Sequence, residues 1–351
     1  MLVNEKPPLN QKKSNTILRQ RVELQIYNIN VTEKDAYIRL DKYIAASIPI
    51  YTRSYILRLI KSDCILVNQQ LKKPNYSVCP GDQVSISIPE CEPQNALPEP
   101  IPLNVLYEDN DLLIINKQAD LVVHPAPGHA NGTLVNALLN YNSEKFSRVD
   151  RYGIVHRLDK DTTGCLIVAK NRYSQTYLNN AFKERTIEKR YCALVIGKME
   201  KKQGIINFPI GRHPTNRKKM SIHARHHRNA ETHWRVSCQF EHFTLLDVLL
   251  KTGRTHQIRV HFAAINHPIV GDPLYGKIRK WQNQNSIVQA HLKQVNRQML
   301  HARLLSFMHP KTKKNMHIVA PIPDDMRQIV DILFKDGFPE NDRAYVRNNR
   351  K

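Results

Sequence analysis

His156, Arg157, Asp159 and Asp161 fall in one short polar stretch, closed by Gly164 and set between the apolar runs Ile154-Val155 and Cys165 to Ala169. A base, a cation and two carboxylates this close together could do chemistry, and they could equally form a solvated turn. The His-Arg pair resembles the His-Arg-Asp loop of protein kinases, but Leu158 follows it, and neither a glycine-rich phosphate loop nor an Asp-Phe-Gly is present. Asp159 and Asp161 alone give no defined ligand set, so no metal is expected. Cys165 and Cys192 stand in apolar runs, where a thiol is buried and inert. What remains is a carboxylate with cations close on either side.

The order apolar, polar, apolar predicts strand, loop and strand across Gly153 to Lys170. Other elements must hold that loop. Leu103 to Tyr107 and Leu112 to Asn116 flank the acidic turn Glu108 to Asp111 as a hairpin, and Thr133 to Leu139 reads as a helix. Ser174 to Arg185 predicts a helix capped by Ser174, with Tyr177, Leu178, Ala181 and Phe182 inward. Arg190 to Gly197 predicts a strand with Tyr191, Ala193 and Val195 on one side and Cys192, Leu194 and Ile196 on the other. Phe243 to Leu250 is a further apolar strand. A helix capped by Thr255 would bury Ile258, Phe262 and Ile265 and put His256 and Arg259 on one face. Leu300 to Met308 with Met316 to Val319 make a late hairpin, and Asp324 to Phe334 a last helix.

The front of the chain has a different texture. Residues 1–20 are polar and read as a flexible tail, and a short strand follows at Val22 to Ile29. Leu40, Ile44 and Ile48 mark an amphipathic helix stopped by Pro49. A second helix, capped by Thr52, buries Ile56, Leu59 and Ile60 and turns Arg53, Arg58 and Lys61 outward. Val84, Ile86 and Ile88 alternate along a strand. Four prolines between Cys91 and Pro102 have the composition of a stiff linker. The predicted organisation is a tail (1–20), a small module (21–92), a linker (93–102), a large domain (103–335) and a basic, polar tail (336–351).

Lys and Arg number 53 against 31 Asp and Glu, a formal net charge of +22 over 351 residues. Such an excess favours a polyanionic partner, nucleic acid above all. Arg212, Arg217, Lys218, Lys219, Arg225, Arg228 and Arg235, interleaved with histidines, predict a loop or hairpin that lies on phosphates. Six cysteines without a CxxC pair suit reduced thiols and argue against zinc. No signal-length or membrane-length apolar run occurs, so a cytoplasmic protein without a membrane partner is expected.

The front module resembles the alpha-L RNA-binding module of the ribosomal-protein-S-four type, through Arg39-Leu40-Asp41-Lys42-Tyr43-Ile44, Thr52-Arg53-Ser54 and the Gly81-Asp82 turn. The large domain resembles the RluA-type RNA pseudouridine synthases. That likeness is carried by His156-Arg157-Leu158-Asp159 with Thr163-Gly164, by Ile114 to Lys117 with Val123-His124-Pro125, by Lys189-Arg190-Tyr191, and by Gly253 to His261. Gln118 departs from it, where the family tends to have proline.

The resemblance implies an α+β protein: the small RNA-binding module, then a catalytic domain with a mixed, largely antiparallel sheet, flanking helices and a central cleft. It implies a reaction without cofactor, in which the uracil glycosidic bond breaks, the base turns, and C5 joins the ribose. Asp159 is then the catalytic carboxylate, which either attacks C1′ or removes the ribose 2′ proton. Arg259 pairs with Asp159 and keeps it ionised. Tyr191 stacks on the base and assists loss of the C5 proton. Arg157 fills the gap left by a flipped nucleotide. His156 and Thr163 shape the loop. His156, Arg157, Arg254 and Thr255, with Arg53 and Arg58 of the front module, are the expected substrate-binding residues. The implied partner is ribosomal RNA or a large-subunit assembly intermediate, with helix 69 of 23S RNA as target and a monomer as the working form. The alternative is a non-catalytic RNA-binding or assembly protein on the same fold.

Overall fold

The computed structural model describes residues 25–49, 51, 53–88, 96–125, 129, 131–276 and 286–337. The expected tail at 1–20, the Thr52 cap, Cys91 and the tail beyond residue 337 lie outside them. The chain divides into two compact units, Met1–Glu92 and Pro93–Lys351.

In the first unit, β1 (Gln25–Asn30), β2 (Ile65–Val67), β3 (Gln70–Leu71) and β4 (Gln83–Ile88) form an antiparallel sheet in the order β1-β4-β2-β3. Two helices, α1 (Leu40–Ser47) and α2 (Arg53–Lys61), belong to this unit. Alternation on β4 buries Val84, Ile86 and Ile88, and these meet Leu40, Ile44, Ile56 and Leu59 in one core. Beneath the arginines of the helix pair lies a buried carboxylate. Asp41 accepts from Arg39 Nε at 3.0 Å and from Arg53 Nε and Nη2 at 2.8 and 2.6 Å.

The second unit is built on a nine-stranded sheet, comprising β5 (Val105–Glu108), β6 (Leu112–Lys117), β7 (Thr163–Ala169), β8 (Glu188–Ile196), β9 (Gln203–Ile206), β13 (Thr232–Gln239), β14 (Phe243–Leu250), β15 (Leu300–Met308) and β16 (Asn315–Val319). The order is β5-β6-β7-β15-β8-β14-β13-β9, with β16 on β15. All its named pairings are antiparallel except β7 with β15. A three-stranded sheet of β10 (Ile210–Arg212), β11 (Met220–Ser221) and β12 (His227–Arg228), with its connections, carries most of the basic run. The helices are α3 (Leu134–Ser147), α4 (Arg172–Glu184), α5 (Gln257–Ala264), α6 (Ser286–Gln294) and α7 (Asp324–Gly337).

The period-two reading of β8 shows in its two faces. Tyr191, Ala193 and Val195 join a core with Leu134, Leu138 and Phe262 of α3 and α5. Cys192, Leu194 and Ile196 join a second core with Val288, Leu292, Met326 and Val330 of α6 and α7. Residues expected to link the units pack on the second one: Glu99 accepts from Gly132 N, and Asn136 Nδ2 donates to Leu97 O. Among the described residues no helix is long and apolar enough to cross a membrane.

Three local readings are corrected. The strand expected at Ile154-Val155 is a single bridge, Ile154 to Val168, because Arg151 and Tyr152 (φ 52° and 55°) curl the chain into a 3-10 turn just before it. The cap of α4 is Asn171, whose side chain accepts from Ser174 N, so Ser174 lies inside the first turn. Thr255 does not cap α5. The helix starts at Gln257, whose Oε1 accepts from Arg254 N and Thr252 Oγ1 while its Nε2 donates to Glu231 O and Thr232 Oγ1.

Candidate active site

The loop from His156 to Gly164 is fixed through its backbone. Lys117, fully buried at the end of β6, donates from Nζ to Lys160 O at 2.8 Å, Gln118 O at 2.7 Å and Leu121 O at 2.9 Å. Burial lowers its pKa to about 7, against the opposing pull of Asp161 and Asp159. Arg297, tied to Asp325 by two bonds, reaches Asp161 O at 3.1 Å. Gln298 Nε2 donates to Thr162 Oγ1, and Thr163 Oγ1 meets His301 Nδ1 at 2.8 Å. The parallel register then pairs Thr163 with His301 and Gly164 with Ala302. Gly164 has φ 112°, and a Cβ there would stand 2.2 Å from Ala302 O, so only glycine fits.

With its backbone so held, the loop presents the Asp159 side chain, 18% exposed, to a pocket also lined by Arg157, Tyr191, Arg254, Thr255 and Arg259. Arg259 Nη1 donates to Asp159 Oδ2 at 2.9 Å. The same guanidinium is gripped from behind by Asp272, Nε to Oδ2 at 2.7 Å and Nη2 to Oδ1 at 2.9 Å. Burial alone would lower the arginine's pKa, but hydrogen bonds and charge from Asp272, then Asp159, raise it. This pairing is a bidentate fork on one side and a single charged bond on the other. His256 places Nε2 at 3.9 Å from the same Asp159 oxygen.

Tyr191 reaches the pocket from β8, the strand in register with β14 and β15. Burial, then the charge of Asp159, raises its hydroxyl. Arg157 is exposed at the rim. Arg254 lines the pocket and donates from Nε to Asn229 O, and Thr255 is exposed beside it. His156 faces elsewhere: its Nε2 accepts from Ile167 N at 2.9 Å and its ring packs on Phe182 with centroids 4.7 Å apart. Burial pushes it down to about 3. Its place is the loop's support rather than the pocket wall. Arg53 and Arg58 lie in the other unit, the first on Asp41 and the second over the Tyr55 ring at 5.2 Å.

Sequence reading missed Asp272 and the role of Lys117. Asp272 stands before Pro273, a pair that suits a turn, and nothing local marks its carboxylate as the counterion of Arg259. Lys117 stood in a motif, but as a buried ammonium it had no sequence signal beyond the apolar run before it. Asp109, Asp111 and His309 also cluster closely enough to suggest a cation. They are already engaged: Asp109 with His309 Nε2 and two backbone N–H groups, Asp111 with Asn171 and Ser174.

Residues 111–264 match the family model for RNA pseudouridylate synthase, and residues 38–84 match the S4 domain. The chain is 40% identical over 312 residues to the uncharacterized RNA pseudouridine synthase YlyB of Bacillus subtilis (strain 168), covering 88% of this chain and 99% of that protein. It is 42% identical over 321 residues to ribosomal large subunit pseudouridine synthase D of Escherichia coli (strain K12), covering 91% and 97%. Among solved structures, human RNA pseudouridylate synthase domain containing 1 superposes with TM-score 0.50 at 25% identity, over 68% of this chain and 97% of its own. On the identity, the extent of coverage and the fold, the chain belongs to the RluA-type RNA pseudouridine synthases.

Proposed function

We infer that the protein converts uridines of large-subunit ribosomal RNA to pseudouridine, with helix 69 of the 23S RNA as the target region, Asp159 as the catalytic carboxylate and no cofactor. The observation that carries this reading is the partly exposed Asp159 carboxylate, bonded to a buried arginine 2.9 Å away in a pocket shared with Tyr191 and Arg157. The name of the Escherichia coli relative and the net charge of +22 support the choice of RNA.

In the reaction the bond from N1 to C1′ breaks with its electron pair left on the uracil, the base turns, C5 bonds to C1′, the C5 proton leaves and N1 takes up a proton, so that product and substrate are isomers. Asp159 acts at the sugar, as nucleophile on C1′ or as base at C2′. Arg259 holds that carboxylate in place and balances its charge. Tyr191 offers a flat ring for the turning base. Its hydroxyl enters the reaction protonated, since burial and the Asp159 charge both raise it. A covalent bond from Asp159 to C1′ would remove that charge and ease loss of the phenol proton. Arg157, exposed at the rim, occupies the space of the flipped nucleotide. Arg53 and Arg58 of the first unit contact phosphates, and the protein works as a cytoplasmic monomer.

Tritium release from C5-labelled large-subunit RNA tests the reading. Asp159→Asn should abolish release while the RNA is still bound. Full release by that variant, or an unmodified target in mapped RNA from cells that carry the wild-type protein, would overturn it and favour a non-catalytic assembly role.

A further inference from the structure

Tyr275 stands in the turn after α5 and touches both the basic three-stranded sheet and the reacting cluster. Its hydroxyl accepts from Met220 N of β11 at 2.7 Å and lies 2.8 Å from His256 Nδ1. Its ring lies 5.3 Å from the Arg259 guanidinium carbon and 5.9 Å from Lys219 Nζ. His256, at φ 55°, occupies a left-handed conformation that is uncommon for a residue other than glycine.

The proton positions follow from these contacts. Burial raises the Tyr275 hydroxyl to about 12, so it keeps its proton at neutral pH, and the Met220 N–H occupies one of its lone pairs. Burial lowers the His256 pKa, so the imidazole is neutral and carries one proton. With that proton on Nδ1, the Nε2 lone pair would point at the Asp159 carboxylate. With it on Nε2, the phenol donates to Nδ1 and a positive N–H edge faces Asp159. The second arrangement is favoured by charge and uses every contact.

We propose that Tyr275 is a positioning residue that links RNA seated on the basic sheet to the reacting carboxylate, by holding His256 in the Nε2-protonated tautomer that faces Asp159. The inference rests on Asp159 being the reacting group. Met220 lies directly after Lys219, within the run Arg217-Lys218-Lys219, so a phosphate drawn to those cations bears on the strand that donates to Tyr275. The device therefore couples docking to chemistry, and its loss should appear in kcat more than in KM.

Tyr275→Phe keeps the ring and removes the donor. It should lower the single-turnover rate roughly tenfold, the effect of one buried hydrogen bond, with KM for the RNA within about twofold of wild type. In a His256→Gln background, where Nδ1 is gone, the same substitution should cost less than about twofold. An equal loss in both backgrounds, or no loss in wild type, overturns the proposal. Nitrogen-15 spectra of histidine-labelled protein give a readout that needs no activity: the signal that vanishes in His256→Gln should have Nε2–H shifts in wild type, and Nδ1–H shifts there would equally overturn it. If Asp159→Asn remains active, the reading of the site has failed. If Asp159→Asn is inactive while Tyr275→Phe is normal, the coupling alone has failed.

Discussion

Asp272→Asn removes the charge that holds Arg259 without altering the shape of the turn. Asp272 is fully buried and Arg259 is 5% exposed, so the two make a buried ion pair with two short bonds, 2.7 and 2.9 Å. An asparagine can accept one of those bonds, but its NH2 group must oppose the other guanidinium N–H. Breaking a buried pair from one side costs about 3 to 5 kcal/mol when the remaining charge has no other partner. Arg259 keeps its single bond to the partly exposed Asp159, so the low end, about 3 kcal/mol, applies. For a unit of this size each kcal/mol moves the melting midpoint by about 2 to 4 °C, which gives a fall of roughly 6 to 12 °C. Adding Arg259→Met removes the charge that Asp272 no longer balances. The double variant should melt above the single one, yet release no tritium, since Asp159 has lost its partner. Thermal unfolding followed by far-UV circular dichroism, with tritium release in parallel, measures both quantities. A single variant that melts within 2 °C of wild type would refute the ion-pair argument, and an active double variant would refute the need for the Arg259 contact.

Lys117→Met should leave the buried Leu121 carbonyl without a partner and those of Gln118 and Lys160 without their donor, at a cost of roughly 1 to 3 kcal/mol, partly offset by relief of a buried charge. Its kcat should fall without a matching change in KM, and an unchanged kcat would show that the bond to Lys160 O does not hold the loop. Stability should also fall on the acid side. Burial lowers His156 to about 3 and His301 to about 4, below an unfolded value near 6.5. Their contribution is therefore complete above about pH 6.5 and is lost as pH drops through that value toward 4 and 3. Urea midpoints at pH 7.5 and 4.5 check the sign, and a higher midpoint at 4.5 would contradict it. Residues 93–351 expressed alone should fold, since that unit has its own cores, but bind large-subunit RNA more weakly and with a shallower salt dependence. Equal binding and an equal salt slope would assign the first unit a role other than docking.

The sheet strands were legible where alternation or a continuous apolar run left one solution, as in β4, β8 and β14. Helix starts were less legible. Ser174 and Thr255 are good capping residues, and the chain used Asn171 and the Gln257 side chain instead, because Asp111, just before β6, and Thr232 of β13 decide where each helix begins. The loop that bears Asp159 was visible as a cluster of polar residues. His256 and Arg259 do meet at Asp159, but not on a shared helical face, because His256 stands before α5 at φ 55°. The groups that hold it were not. Lys117 lies 43 residues from its acceptor Lys160, and His301 lies 138 from Thr163, and no local pattern records such pairings. The strand expected at Ile154 failed for a backbone reason: two consecutive non-glycine residues with positive φ at Arg151 and Tyr152 had no sequence signature.

The parallel pairing of Gly164 with Ala302 also sets a timetable. Every residue proposed to touch the substrate has been synthesised once α5 is complete at Ala264, yet the strand that closes on Thr163 and Gly164 begins only at Leu300. At about 5 to 20 residues per second that leaves an interval of seconds in which a nascent chain has the carboxylate proposed to react but not the strand beside it. On the proposed reading activity begins with the arrival of β15, late in synthesis, and a chain truncated between α5 and β15 is expected to be inert.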